Sequence, residues 1–267
     1  MKKTNLLVAL SIGILLTLSC SDENSNTNPN DNEISDDDGN QSVNPLFVNS
    51  IVSTNIDFIR DDDSDAFMNI QFIGQEDKEM PDSRTDELFD TGTYIFEVNF
   101  SNGEQIEIWA HSSFDSEVVA QEYANKLTGR LGKLPDFMRN ELSHVVLHNG
   151  DAGAFAESES NFFVIYSINI DLRISNNDLE ETVFHESVHA TLDADYLLNS
   201  EWLQAQQTDD TFITEYARDN SDKEDLAESA LFAYTMIKNP GRLPSNVETW
   251  ITTNIPNRFA FFQTIFN

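Results

Sequence analysis

From Pro45 to about His111 apolar and polar positions tend to alternate. Tyr94, Phe96, Val98 and Phe100 are separated by polar neighbours, and so are Ile106, Ile108 and Ala110. A period of two puts one set of side chains on one face of a pleated strand. Asn102-Gly103 between the two runs predicts a two-residue hairpin, because that turn needs positive φ at its centre. Phe67 to Ile73 predicts an earlier strand. Asp61-x-Asp63-x-Asp65 has the opening of a calcium loop, but Ala66 stands where glycine is needed and Phe72 where the bidentate glutamate belongs. It reads as a solvated acidic turn.

After His111 the period lengthens. Val119, Tyr123 and Leu127 recur every four residues behind Asp115 as a cap, predicting a helix to about Leu131. Two short apolar runs, Ser143–His148 and Phe162–Ile168, predict strands around a glycine-containing loop over Asn149–Ser160. Helices are then expected at about 178–196, 200–208, 222–238, 245–253 and 256–266, with Asn239-Pro240-Gly241 stopping the third. A β-rich front, a mixed middle and a helical back predict an α+β fold.

The N-terminus changes the picture. Lys2 and Lys3 precede an apolar run from Leu6 to Leu18, which is too short for a span of ~20 residues and reads as a signal segment. The single cysteine, Cys20, follows Leu16-Thr17-Leu18-Ser19, which resembles a bacterial lipoprotein box, with Thr17 where an aliphatic residue is usual. The resemblance implies a leader over 1–19 and a lipid on Cys20, anchoring the chain without a spanning helix. Residues 20–45 carry seven acids, no base and no hydrophobic period, as a solvated tether would. Ser21-Asp22-Glu23 resembles a lipoprotein surface-export signal, so the cell envelope, and the outer membrane in particular, is the expected location. The β-rich region is then 46–111 and the remainder 112–267.

Charge and composition narrow the partners. With 15 Lys+Arg against 47 Asp+Glu the formal net charge is −32, which disfavours nucleic acid and anionic membrane surfaces. One cysteine excludes intramolecular disulfides and cysteine-based zinc or iron–sulfur sites. The 19 Phe argue against wholesale disorder.

Residues 185–189 read His-Glu-Ser-Val-His. On a helix this spacing sets two imidazoles one turn apart on one face, where both can ligate one Zn²⁺, and Glu186 sits beside them, free to take a proton from water. Asp178 with Glu181 makes a capping signature, and Phe184, Val188 and Leu192 form an apolar stripe, so the helix is expected to be amphipathic. Catalytic zinc takes three protein ligands and a water, and no histidine follows His189. Downstream, Glu224 and Glu228 lie one turn apart, with Leu226, Ala230, Ala233 and Ile237 as the buried stripe. One carboxylate can bind the metal while the other accepts a hydrogen bond from a ligating imidazole, and spacing alone leaves open which does which.

Together the segments 185–193 and 216–228 resemble gluzincin zinc metallopeptidases, most closely the lethal-factor-like and Pro-Pro endopeptidase branch. The resemblance spans roughly 115–238. It implies a zincin-like fold, Glu224 as third ligand, Glu228 as the acid behind a ligating imidazole, Asp193 as a further acid, and Tyr216 as a hydrogen-bond donor to the transition state. Tyr216 precedes Glu224 by eight residues, one more than in that branch. The implied reaction is hydrolysis of a protein or peptide substrate with Glu186 as general base, the peptide lying along strand Phe162–Ile168. The alternative is a surface binding lipoprotein on the same scaffold. His144 and His148 share a strand face but lack the intervening glutamate, and Trp109, Trp202 and Trp250 read as core.

Overall fold

In the computed structural model, which describes residues 43–267, the period-two runs become one mixed sheet. The leader, Cys20 and nearly all of the tether lie outside the described residues. The strands are β1 (Phe67–Glu79), β2 (Phe89–Phe100), β3 (Gln105–Ala110), β4 (His144–His148), β5 (Phe155–Glu157) and β6 (Phe162–Tyr166), in the spatial order β1-β2-β3-β4-β6-β5. β1, β2 and β3 are antiparallel, β3–β4 and β4–β6 are parallel, and β5 returns antiparallel along β6 as the edge. The helices are α1 (Glu117–Gly132), α2 (Asp136–Glu141), α3 (Ser167–Asn176), α4 (Leu179–Tyr196), α5 (Ser200–Thr208), α6 (Glu215–Asp219), α7 (Asp225–Lys238), α8 (Ser245–Asn254) and α9 (Pro256–Phe266). The fold is α+β.

Alternation sorts the strands into two faces. Phe96, Val98, Ile106, Ile108, Val145, Leu147, Phe163 and Ile165 meet the helices in one core. Val146, Phe162, Val164 and Tyr166 face the other way and are covered by Met80 at the end of β1. The boundary drawn at 111/112 therefore falls between β3 and α1, and the strands on its two sides pair residue for residue from Glu107↔His144 to Ala110↔Leu147. Residues 46–66 contain no strand, only the 3-10 turn Ile51–Ser53 and irregular chain.

Several expectations need correction. The hairpin loop runs over Ser101–Glu104, with Gly103 at φ 89° and Phe100 N–H bonded to Glu104 O, so it is four residues long rather than two. Ser116, not Asp115, caps α1, accepting from Val119 N–H. The strand over Phe162–Ile168 ends at Tyr166, because α3 starts at Ser167. There Ile168, Ile170, Leu172 and Ile174 alternate as in a strand, but Ile168, Leu172 and Ile174 are exposed and only Ile170 is buried. Asn177, in the left-handed region at φ 60°, ends that helix. The acidic turn is not wholly solvated, since Asp63 makes a two-pronged ion pair with Arg242 at 2.5 Å. Of the tryptophans, Trp202 is fully buried, whereas Trp109 lies on the outer sheet face stacked on His144.

α4 is the central element and is not amphipathic. It packs on β5, β6, α1, α2, α3 and α7, and almost every residue from Leu179 to Leu192 is buried. Its buried hydroxyls return to their own helix: Thr182 Oγ1 donates to Asp178 O, Ser187 Oγ to Val183 O and Thr191 Oγ1 to Ser187 O. The capping box also fails to close. Glu181 Oε1 accepts from Phe58 and Ile59 N–H, and Asp178 N–H goes to Arg173 O.

Candidate metal centre

The period of α4 puts His185, His189 and Asp193 on one face, at i, i+4 and i+8. The imidazole Nε2 atoms of His185 and His189 stand 3.1 Å apart. α7 brings the third donor. The chain turns through Asn220–Glu224, where Glu224 N–H bonds Asn220 O, and Glu224 becomes the N-cap of α7. Its Oε2 lies 3.4 Å from each Nε2. These three side chains could hold a metal ion. Glu224 Oε2 is buried with no hydrogen-bond donor among the described residues, a costly state for a carboxylate unless a cation meets it.

The two carboxylates one turn apart on α7 have different surroundings. Glu228 is fully buried and turns away from the Nε2 atoms: Oε1 accepts from Ser50 Oγ at 2.6 Å, and Oε2 from Ile51 N–H at 2.9 Å and Thr214 Oγ1 at 2.8 Å. Oε1 also lies 3.7 Å from His185 Nδ1, which has no hydrogen-bond partner among the described residues. Asp193 Oδ2 meets His189 Nδ1 at 2.7 Å. Each imidazole thus has an acid behind it and a converging donor in front. Asp225, next to Glu224, is held by Arg258 Nε and Gln206 Nε2, both at 2.8 Å, which fixes the start of α7.

Electrostatics follow from burial. Glu186 is almost fully buried, and that burial raises its carboxyl above the ordinary range against the pull of the two histidines. Burial also opposes ionisation of Glu224, yet the adjacent His185 and His189 imidazoles hold it well below the usual carboxylate range. His189 is desolvated too, but Asp193 and Glu224 lift it well above its ordinary value. Four carboxylates, Glu186, Asp193, Glu224 and Glu228, therefore stand around two imidazoles.

A cavity of about 130 Å³ opens onto the three donors and Glu186. Its other walls are Ala154, Phe155, Ala156 and Ser158 from β5 and its flanks, Leu197 after α4, and Lys223. Tyr216 is half-buried on α6, its carbonyl accepting from Asn220, and stands outside this lining. β6 does not border the cavity; the edge strand β5 does. Sequence reasoning missed β5, Leu197 and Lys223 as walls and Ser50 and Thr214 as partners of Glu228. Ser50 lies 178 residues from that carboxylate, and no local signal links them. No helix among the described residues is long and apolar enough to cross a membrane. No protein-family model, curated protein or solved structure matches this chain.

Proposed function

We propose that this chain is a lipid-anchored zinc metalloendopeptidase of the gluzincin type, with a zincin-like catalytic region. The observation that carries the reading is the triangle of His185 Nε2, His189 Nε2 and Glu224 Oε2, with sides of 3.1, 3.4 and 3.4 Å. Donors bound at 2.0–2.1 Å around a tetrahedral zinc stand about 3.3–3.4 Å from one another, so the three atoms fit that ion without rearrangement. Two imidazoles and one carboxylate, each imidazole backed by an acid, are also the donor set that catalytic zinc prefers.

His185, His189 and Glu224 would hold Zn²⁺, which when bound would supply Lewis acidity, lowering the pKa of a water to ~7 and polarising a carbonyl. Glu186 projects into the same cavity without joining the triangle, and it takes the proton from the attacking water and passes it to the leaving amine. Burial raises its carboxyl above the ordinary range, as suits a proton acceptor. Asp193 fixes the His189 ring by a hydrogen bond, and Glu228 stands 3.7 Å behind the His185 ring. Tyr216, outside the cavity lining, is assigned as a donor to the developing oxyanion by family resemblance alone. Among the described residues β5 is an edge strand and borders the cavity, so an extended peptide adds there as a further strand. The leader and Cys20 support anchoring in the cell envelope.

The test is digestion of a diverse peptide library by zinc-loaded protein, read by mass spectrometry. Cleavage is expected, and Glu186→Gln should retain about one zinc while turnover falls by roughly 10² or more. A library left intact by a protein holding its zinc removes the peptidase reading. Loss of metal along with activity in Glu186→Gln would make Glu186 a ligand rather than a base. Tyr216→Phe should slow cleavage by roughly 10² with zinc retained, the scale for one oxyanion donor. Unchanged turnover removes the tyrosine from the mechanism.

A further inference from the structure

Residues 46–59 form no strand and only one 3-10 turn, yet hydrogen bonds fix them to the elements that build the metal centre. Phe47 makes a parallel bridge to Thr214: Phe47 N–H donates to Ile213 O at 3.1 Å and Glu215 N–H to Phe47 O at 2.8 Å. Ser50 and Ile51 then donate to Glu228 of α7, and Phe58 and Ile59 to Glu181 of α4. Both acids are buried, so this segment supplies donors that α4 and α7 do not supply for themselves.

The contact with Glu228 reaches the metal centre directly. Ile51 N–H and Thr214 Oγ1 pin Oε2 from two sides. Ser50 Oγ holds Oε1, the oxygen that faces His185 Nδ1 at 3.7 Å. With one oxygen pinned, the Ser50 hydroxyl fixes the rotation of the carboxylate and hence which way it presents Oε1 to the imidazole. Partners behind a ligating imidazole set its orientation and basicity. We propose that Ser50 is a positioning residue for the metal centre: acting through Glu228 it orients the His185 ring, so docking of residues 46–59 sets how tightly the site holds its metal. This rests on the zinc reading above.

The experiment is zinc affinity by competition with a chelator, on the full chain, at a temperature well below unfolding. Ser50 is half-buried and Ser50→Ala removes one oxygen, and its melting temperature is read beside the affinity. The expected result is zinc binding weakened about tenfold in Ser50→Ala, the scale of losing a partner behind a ligand, and restored in Ser50→Thr, which keeps the hydroxyl. Asp63→Asn is the control: it breaks the ion pair with Arg242 just beyond the segment, and it should lower the melting temperature without changing zinc affinity. Ser50→Ala affinity within twofold of wild type overturns the proposal, as does an equal loss in Asp63→Asn, which would mark general loosening. A wild-type chain that takes up no zinc defeats the metal reading itself, and this proposal with it.

Discussion

Two groups of histidine and carboxylate lie on opposite sides of the sheet, and they are built to different ends. On the outer side His111 stands 3.4 Å from Asp90 and His148 3.8 Å from Asp82. His144 Nε2 and His148 Nδ1 are buried without a hydrogen-bond partner among the described residues, yet these rings do not converge on one point. His144 is stacked between Trp109 at 3.6 Å and Phe162 at 4.6 Å. His148 bonds Pro81 O through Nε2 and stacks on Tyr166, whose hydroxyl donates to Asp82 and accepts from Ser83. His111 pairs with Ser113 at 2.8 Å. Burial pushes both His144, to about 4, and His148 below the ordinary histidine value. On the helical side His185 and His189 present Nε2 to one point, where Glu224 meets them and no hydrogen-bond donor satisfies its oxygen. Convergence of two imidazole nitrogens and a carboxylate oxygen within 4.8 Å of one another marks a candidate site, whereas local richness in histidine does not.

The largest effect that breaks the comparison is expected at α7. Glu224→Gln should nearly abolish zinc binding, since it removes a converging donor, whereas Glu228→Gln should weaken it only about 10–100-fold by freeing the His185 ring. Chelator competition on both variants decides it; the reverse order would move the ligand role to Glu228.

A smaller effect concerns α4 as scaffold. Burial raises the Glu181 carboxyl from 4.5 to about 7, although the Ile59 and Phe58 N–H groups pull the other way. Between those values the unfolded chain has released the proton and the folded chain keeps it, so stability falls as pH rises from about 4.5 to about 7 and levels off above. The displacement corresponds to on the order of 3 kcal/mol. Glu181→Gln should flatten that part of the stability curve in denaturant titrations, and an unchanged slope would show that the carboxyl ionises freely. The smallest effect is the control on the outer side. His148→Gln should lower the melting temperature by loosening the cover of the sheet while leaving zinc affinity within twofold. Zinc lost there would mean that the outer histidines are ligands after all.

Much of the site was legible because it is local. The spacing of His185, Glu186 and His189 fixes their relation once a helix forms, and the helix was readable from its apolar period. Glu224 and Glu228 were visible as a pair, but their division of roles depends on which way α7 meets α4 and on donors from Ser50 and Thr214, which no spacing encodes. The parallel pairing of β3 with β4, which merges the front of the chain with the back, is set by packing of both faces. β5 was lost because three residues, Phe155–Glu157, carry too little pattern, and their strand geometry comes from β6. α3 was misread at its start because its isoleucines alternate, while the buried positions Ile170 and Arg173 follow the helical period. The central helix looked amphipathic because its buried polar residues find partners inside the fold that the sequence does not display.

The central claim is tested most directly by the zinc content of the purified protein, measured with its stoichiometry beside His189→Ala. One zinc per chain, lost in that variant, is the predicted result. A chain without zinc in the presence of the free ion, or one equivalent that survives His189→Ala, would contradict it.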